Sequence, residues 1–258
     1  MSSVLFVVEN NIAFITLNRP EKFNSFNREM ALLLQKHLDE CAASKDIRCV
    51  LITGSGKAFS AGQDLAELTG DEPMGIDRIL SEHYNPIVTR IRNMPKPVVA
   101  AVNGVAAGAG ANIALCCDVV VAAKSASFIQ AFSKIGLIPD SGGTFFLPRL
   151  IGWQKASAFM MMADKITAIE AERVGMIYKY FEDESFNEES IKIARTLAQM
   201  PTKGLALTKQ ALNESLTNSW ESQLLKEDEL QRIAAVTYDY NEGVEAFLQK
   251  RKPAFKGE

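Results

Sequence analysis

The sequence has little of what several enzyme classes need. Its histidines and cysteines number only two and four: His37, His83, Cys41, Cys49, Cys116 and Cys117. No Cys-x-x-Cys pair and no histidine spacing suited to zinc occurs among them. No Gly-x-Ser-x-Gly motif is present to supply an activated serine. We therefore expect neither a zinc centre nor a nucleophilic hydrolase.

A strong charge of one sign and long hydrophobic runs are also missing. The net charge is -3 over 258 residues, which gives no electrostatic footprint for nucleic acid or an anionic membrane. No apolar run reaches membrane-spanning length, and the start at residues 1–4 lacks the regions of a signal peptide. The adjacent pair Cys116 and Cys117 is typical of reduced, buried thiols. We expect a cytoplasmic protein without nucleic-acid or membrane partners.

Predicted strands and helices alternate along the first part of the chain. Residues 4–17 form two β-rich runs around an asparagine turn, which predicts a hairpin. Asn27 is placed as the N-cap of a following amphipathic helix. Short buried strands are predicted at 49–53, 97–102 and 119–123, with helices between them. This strand–helix alternation predicts an α/β fold.

The pattern changes from about Pro148 onward, where strand signals become sparse and helical periodicity dominates. The last two helices carry many charges and narrow apolar stripes, suited to docking on a core or on another subunit. We therefore predict a core at residues 1–195 and a helical lobe at residues 196–258.

Two Gly-rich loops each follow a predicted strand and precede a helix, at residues 56–65 and 103–112. Small residues let a ligand approach the main chain, although such loops are also common as tight turns. Neither loop is a nucleotide motif, because Ala58 replaces the Ser/Thr of a P-loop and Ile113 replaces the last glycine of a dinucleotide fingerprint. What remains is two backbone donors that converge on one oxygen.

Several segments, in order, resemble the crotonase (enoyl-CoA hydratase/isomerase) superfamily. They are Ile15–Lys22, Phe59–Leu65, Pro97–Asn112, Gly136–Thr144 and Phe247–Lys256. The resemblance implies a spiral of ββα units with a C-terminal helical lobe that builds a homotrimer or hexamer. It also implies an acyl-CoA thioester as substrate, with no metal and no cofactor beyond the coenzyme A that the substrate carries.

The resemblance also implies roles for particular residues. The oxyanion hole would consist of the N–H groups of Ala61 and Ala109. Further residues are expected to bind substrate: Ser60, Gly62, Gln63, Asp64, Gly108, Asn112, Phe132 and Lys256.

The sequence departs from the hydratases of this family at both catalytic positions. Those enzymes use two glutamates, where this chain has Asn112 and Phe132, and neither residue exchanges a proton at useful pKa. A carboxylate appears instead at Asp140. The sequence of residues 132–140 resembles that of the family members that act in phenylacetate degradation and convert 1,2-epoxyphenylacetyl-CoA to oxepin-CoA. We therefore expect an isomerase in which Asp140 shuttles a proton beside a stabilised enolate.

Alternatives stay open at this point. Asp140 could be only the N-cap of the helix that follows it. It could also act as the nucleophile of an aryl-CoA dehalogenase. The chain could instead be a hydratase-like enzyme or an inert acyl-CoA-binding partner subunit. His83 lies in a segment expected to cover the active site, and without a partner in sequence we interpret it as a solvated surface histidine.

Overall fold

A computed structural model describes residues 2–69 and 74–258. Ten strands are present among them, in chain order β1 to β10: Val4–Glu9, Ile12–Leu17, Cys49–Gly54, Ala58–Ser60, Val98–Val102, Val105–Ala107, Val119–Ala123, Ser127–Ile129, Ile166–Thr167 and Lys179–Phe181. They form two sheets. The six-stranded sheet has the order β1-β2-β3-β5-β7-β10, and the four-stranded sheet has the order β4-β6-β8-β9.

The first two strands form the predicted hairpin. Strands β1 and β2 pair antiparallel, with Val4 opposite Leu17 and Glu9 opposite Ile12. The two turn residues, Asn10 and Asn11, have φ values of 50° and 62°. Asparagine tolerates this left-handed conformation, which a two-residue hairpin turn requires at both positions. The hairpin prediction is confirmed.

Helices fill the connections between strands. The α-helices α1 to α12 are Arg28–Ala43, Ala66–Thr69, Ile76–Arg78, Asn85–Asn93, Ala109–Leu115, Gly143–Ile151, Trp153–Met162, Ala168–Arg173, Phe186–Gln199, Thr202–Ser215, Trp220–Ala234 and Tyr238–Gln249. A π-helical segment occupies Ile79–Tyr84, and 3-10 helices occupy Pro20–Lys22 and Ala131–Ile135. The predicted N-cap of α1 is confirmed, because the Asn27 side chain accepts a hydrogen bond from the Met30 N–H at 3.0 Å.

The central strands repeat one unit, and that repetition brings the Gly-rich loops together. Strands β3, β5 and β7 lie side by side and parallel in the large sheet, and each leads into a short strand of the small sheet. A helix or helical turn follows each short strand. All five residues of β5 are buried, as expected for a parallel strand covered on both faces. This is the predicted α/β spiral of ββα units.

The C-terminal helices join the core through a buried lysine. Lys209 on α10 is 6% exposed, and its Nζ lies 2.7 Å from Asp118 Oδ2 and 2.7 Å from the carbonyl oxygen of Ile91. The predicted boundary between residues 195 and 196 falls inside α9, which runs from Phe186 to Gln199. The ion pair between Lys209 and Asp118 holds the C-terminal helical region to the core.

Two further features of the described residues bear on the expectations from sequence. All four cysteines are buried and unbonded to one another. Within residues 2–69 and 74–258, no helix combines the length and the apolar character needed to cross a membrane.

Candidate active site

A largely apolar cavity of about 510 Å³ opens where the Gly-rich loops meet the segment around Asp140. Its apolar walls come from three parts of the chain: Leu65, Leu68, Ile76, Ile79, Leu80, Phe132, Ile135, Leu137 and Ile138. The polar groups that line it include Gln63, Tyr84 and Asp140. The cavity therefore suits a largely apolar group that is oriented by a few polar contacts.

The two Gly-rich loops touch in the wall of this cavity. Gly62 has a φ of 87°, and a Cβ placed on it would lie 2.9 Å from the Ala107 carbonyl oxygen and 3.4 Å from the Ala109 nitrogen. A Cβ on Gly110 would lie 2.5 Å from the Ser60 carbonyl oxygen. Glycine is needed at both positions because the main chains approach more closely than any side chain permits.

The first predicted oxyanion donor is wrong. The N–H of Ala61 donates to the carbonyl oxygen of Phe23 at 2.9 Å and is not free for a ligand. Gln63 lies two residues further on, where the chain forms a parallel bridge with Phe26. That bridge uses the Gly62 carbonyl and the Asp64 N–H, and within the described residues the Gln63 N–H makes no hydrogen bond. Gln63, which lines the cavity, therefore supplies the free donor of this loop.

The second predicted donor is placed as a free N–H by the fold. Ala109 is the first residue of α5, after Gly108 as N-cap, and the first N–H groups of a helix have no partner within it. Gly108 takes a φ of 52°, and its N–H is held by the Ile129 carbonyl at 2.9 Å. Both Gly108 and Ala109 line the cavity. The helix start adds a favourable field for negative charge.

Asp140 lines the cavity, but it does not cap α6. The N-cap of that helix is Gly142, and no side chain makes the capping bond. The Asp140 carboxylate instead accepts a hydrogen bond from the Ser141 hydroxyl, with Oγ 2.8 Å from Oδ1. Burial raises the pKa of the Asp140 carboxyl, and hydrogen bonds from the Ser141 hydroxyl and from the backbone N–H of Asp140 only partly oppose this. The structure thus rejects the capping alternative and leaves a carboxylate with raised pKa in the cavity wall.

Asn112 does not contact the cavity, which corrects its prediction as a substrate-binding residue. Its side chain is 1% exposed. Its Nδ2 donates to the Asp140 carbonyl oxygen at 2.9 Å, and its Oδ1 accepts from Gln130 Nε2 at 2.8 Å. A side chain with both polar atoms used in this way supports the main chain of Asp140 and does not orient a substrate.

Three other predicted substrate-binding residues also have structural roles within the chain. Ser60 is fully buried, and its hydroxyl donates to the Asn24 carbonyl at 2.8 Å. Asp64 pairs with Arg19 at 2.9 Å. Burial alone would raise the pKa of Asp64, but hydrogen bonds from Arg19 and a backbone N–H outweigh it and lower the pKa. Lys256 is not among the residues that line the cavity, and its Nζ lies 4.0 Å from the centre of the Tyr238 ring.

The segment predicted to cover the active site does reach the cavity, but through a residue that sequence reasoning missed. Tyr84 lines the cavity, and its hydroxyl donates to Gln63 Oε1 at 2.8 Å. Gln63 Nε2 in turn lies 3.0 Å from Glu67 Oε2. The presence of a tyrosine in the segment predicted to cover the site could have indicated this contact. Gly62, Gly108 and Phe132, which were predicted to bind substrate, line the cavity.

The interpretation of His83 as a surface residue is wrong. Its exposure is 0%, its Nδ1 is buried without a partner among the described residues, and burial lowers its pKa. The π-helical segment packs against α1, where Gln35 Nε2 donates to the Glu82 carbonyl oxygen at 2.8 Å. This packing turns His83 toward the core and Tyr84 toward the cavity.

Comparison with known proteins agrees with this architecture. The enoyl-CoA hydratase/isomerase family model matches residues 8–258. A 1,2-epoxyphenylacetyl-CoA isomerase of Escherichia coli (strain K12) is 47% identical, over 100% of this chain and 99% of the relative. A 2,3-dehydroadipyl-CoA hydratase of the same strain is 34% identical over 100% of both chains.

Solved structures give the same result. The crystal structure of an enoyl-CoA hydratase from Bacillus anthracis matches with a TM-score of 0.92 and 32% identity, covering 99% of this chain and 100% of that one. An enoyl-CoA hydratase from Polaromonas sp. JS666 matches with a TM-score of 0.91 over 98% of this chain and 99% of that chain, at 32% identity. With its spiral of ββα units and its paired Gly-rich loops, this chain belongs to the enoyl-CoA hydratase/isomerase (crotonase) family of acyl-CoA enzymes.

Proposed function

We propose that this enzyme isomerises acyl-CoA thioesters. It would shift a double bond along the acyl group or open a ring epoxide, as in the conversion of 1,2-epoxyphenylacetyl-CoA to oxepin-CoA. The observation that favours isomerisation is the number of carboxylate side chains that line the cavity. Within residues 2–69 and 74–258, Asp140 is the single carboxylate that lines it. Moving a proton between two carbons needs one such group, whereas the family's hydration chemistry uses two.

The free N–H groups of Gln63 and Ala109 would hold the thioester carbonyl oxygen. When a proton leaves the acyl chain, negative charge collects on that oxygen, and donors already in place stabilise it by about 3 kcal/mol each. The loops that carry these donors are in contact, so the donors need little reorganisation at the moment of reaction. The reactive intermediate would be an enolate held in the cavity.

Asp140 would accept the proton from one carbon and return it to another. Its raised pKa brings the carboxylate closer to the range in which a base both takes and releases a proton. Phe132 offers only a hydrocarbon surface, and both polar atoms of Asn112 are already bonded. No second proton-transferring carboxylate is therefore available at either position.

The apolar walls support the same chemistry. Aliphatic and aromatic side chains exclude water from the acyl group, which strengthens the hydrogen bonds to the enolate oxygen. They also suit an acyl chain or ring without charge. Coenzyme A would enter as part of the substrate, and the proposed steps require no other cofactor.

A panel of thioesters tests the proposal. We expect 3-enoyl-CoA, and among ring substrates 1,2-epoxyphenylacetyl-CoA, to be isomerised, while crotonyl-CoA is hydrated slowly or not at all. Product identity is measured by chromatography and mass spectrometry. Hydration of crotonyl-CoA as fast as any isomerisation would overturn the assignment, and a covalent ester on Asp140 with an aryl-CoA would favour the dehalogenase alternative.

The active form is further proposed to be a homotrimer or a dimer of trimers. Large apolar side chains on the C-terminal helices are exposed in the single chain, including Leu225 at 74%, Val236 at 82% and Phe247 at 83%. Side chains of this kind in one region of a surface are typical of an interface. Light scattering at micromolar concentration should give three or six times the mass of the chain, and a stable monomer would contradict the proposal.

A further inference from the structure

Asp140 belongs to a chain segment that makes few contacts with the rest of the protein. Residues 135–138 are exposed, and Ile138 reaches 80% exposure. The Asp140 carbonyl is held by two donors, the Gly143 N–H at 2.8 Å and Asn112 Nδ2 at 2.9 Å. These bonds fix the main chain but leave the rotation of the carboxylate about its own bonds unconstrained.

One side chain does constrain that rotation. Ser141 is 2% exposed, and its hydroxyl donates to Asp140 Oδ1 at 2.8 Å. Within the described residues, no other residue donates a hydrogen bond to the second oxygen, Oδ2. The serine therefore makes the two carboxylate oxygens unequal, with one tied to the protein and one left for a substrate.

The backbone at Ser141 indicates that this arrangement has a cost. Its φ is 52°, and the next residue, Gly142, has a φ of 76°. Glycine takes this left-handed conformation readily, whereas a serine there is disfavoured by the contact of its Cβ with the main chain. Strain of this kind in an active-site wall is a reason to look for a function of the side chain.

We propose that Ser141 is a positioning residue, whose hydroxyl holds Oδ1 of Asp140 so that Oδ2 alone exchanges the proton of the acyl group. This inference rests on the proposed isomerase function. It adds that the orientation of the base depends on one hydroxyl group next to it in the chain.

In the part of the chain that the structure describes, no other titratable or charged group near the cavity bonds to the Asp140 carboxylate. The other titratable groups that line the cavity within the described residues are Tyr84 and Lys134. The Tyr84 hydroxyl is bonded to Gln63, and Lys134 is exposed on the 3-10 helix. On the elements packed behind, the Arg92 guanidinium lies over the Phe146 ring and Arg149 over the Phe145 ring. None of these groups bonds to the carboxylate.

Two variants, Ser141→Ala and Ser141→Gly, separate orientation from strain. Both remove the hydroxyl, but only glycine also relieves the left-handed backbone. We expect both to lose roughly tenfold in kcat with little change in KM, since the lost hydrogen bond is to a charged group. The acid limb of the kcat/KM profile should move to higher pH in both, because the bond favours the ionised form. The melting temperature of Ser141→Gly should be the higher of the two.

The matched control is Ser133→Ala, which removes an exposed hydroxyl outside the cavity lining and should behave as wild type. Wild-type kcat and an unmoved pH profile in Ser141→Gly would overturn the inference, and so would rates that follow the melting temperature. Asp140→Asn is measured alongside. Loss of turnover there with normal Ser141→Gly removes only this inference, whereas normal turnover in Asp140→Asn removes the proposed function and this inference with it.

Discussion

The two sides of the cavity are built in different ways. The donor wall, residues 61–63 and 107–109, is made of backbone that is tied on both flanks. On either side of the Gln63 donor, the Phe26 N–H donates to the Gly62 carbonyl oxygen at 2.7 Å, and the Phe26 carbonyl oxygen accepts from the Asp64 N–H at 2.8 Å. The base wall, residues 132–142, is largely exposed and depends on side chains, since Asn112 holds its main chain and Ser141 its carboxylate.

The difference shows what each half of the chemistry needs. Apart from proline, no side chain removes the backbone N–H of its own residue, so the donor wall is most sensitive where glycine permits close approach. A base is itself a side chain, and it is only as well oriented as the groups that bond to it. Different substitutions are therefore expected to damage the donor wall and the base wall.

The largest effect is expected on the base wall, from Asp140→Asn. Asparagine keeps the shape of the side chain but cannot accept the proton, so kcat should fall by about 10²–10⁴-fold. Affinity for coenzyme A should be unchanged, because the donor wall is untouched. Steady-state kinetics and titration with the thioester measure the two quantities. Near-normal turnover would remove Asp140 from the mechanism.

The next largest effect is expected on the donor wall, from Gly62→Ala. A Cβ there would lie 2.9 Å from the Ala107 carbonyl, so the loops must separate, and a donor displaced by about 1 Å can cost roughly 10²-fold in rate. Gly136→Ala is the matched control on the base wall. Gly136 also has positive φ, at 73°, but its Cβ would meet nothing within 4 Å. It should lose only about 1–2 kcal/mol of stability through backbone strain. Equal kinetic losses would break the comparison.

The raised pKa of Asp140 gives a third expectation, on stability. Burial disfavours the ionised carboxylate in the folded state. Wild type therefore loses stability as the pH rises from the ordinary aspartate pKa through the raised folded pKa, because the folded protein holds the proton longer. Asp140→Asn has no such loss. Its melting temperature should exceed that of wild type at pH 7, and the difference should shrink at acid pH. Thermal melts at pH 4 and 7 check the sign.

The smallest kinetic effect is expected from Gln63→Ala. The variant keeps the backbone N–H while it removes the side chain bonded to Tyr84 and Glu67. Turnover should change by less than about tenfold, and stability should fall by about 1–3 kcal/mol, since the Tyr84 hydroxyl loses its acceptor. A kinetic loss as large as that of Asp140→Asn would show that the side chain takes part in the chemistry.

Local signals in the sequence were sufficient for much of the fold. The asparagine turn predicted the hairpin and Asn27 predicted the start of α1, because each depends on contacts within a few residues. The spiral and the family followed from segments spread along the whole chain. Asp140 was placed in the cavity wall for the same reason, since its departure from the hydratase pattern is visible in the sequence itself.

The errors came from contacts that are distant in sequence. Whether an N–H group of this loop is free for a ligand depends on the acceptors that the loop meets elsewhere in the chain. The bonds from Ala61 to Phe23 and from Asp64 to Phe26 decide this, and no local pattern revealed them. His83 was misplaced because its neighbours are distant in sequence: its Nε2 lies 3.4 Å from Arg28 Nη1, and the Gln35 side chain donates to the adjacent Glu82 carbonyl oxygen.

The exposed apolar edge of the base wall has a consequence for the temperature dependence of binding. Ile135, Leu137 and Ile138 line the cavity and are 56%, 38% and 80% exposed in the single chain. An acyl group that covers them removes apolar surface from water, and this gives a negative heat-capacity change. The binding enthalpy should therefore become more favourable with rising temperature for an acyl thioester. Coenzyme A alone, which has no acyl group to cover this edge, should show a smaller slope in calorimetry.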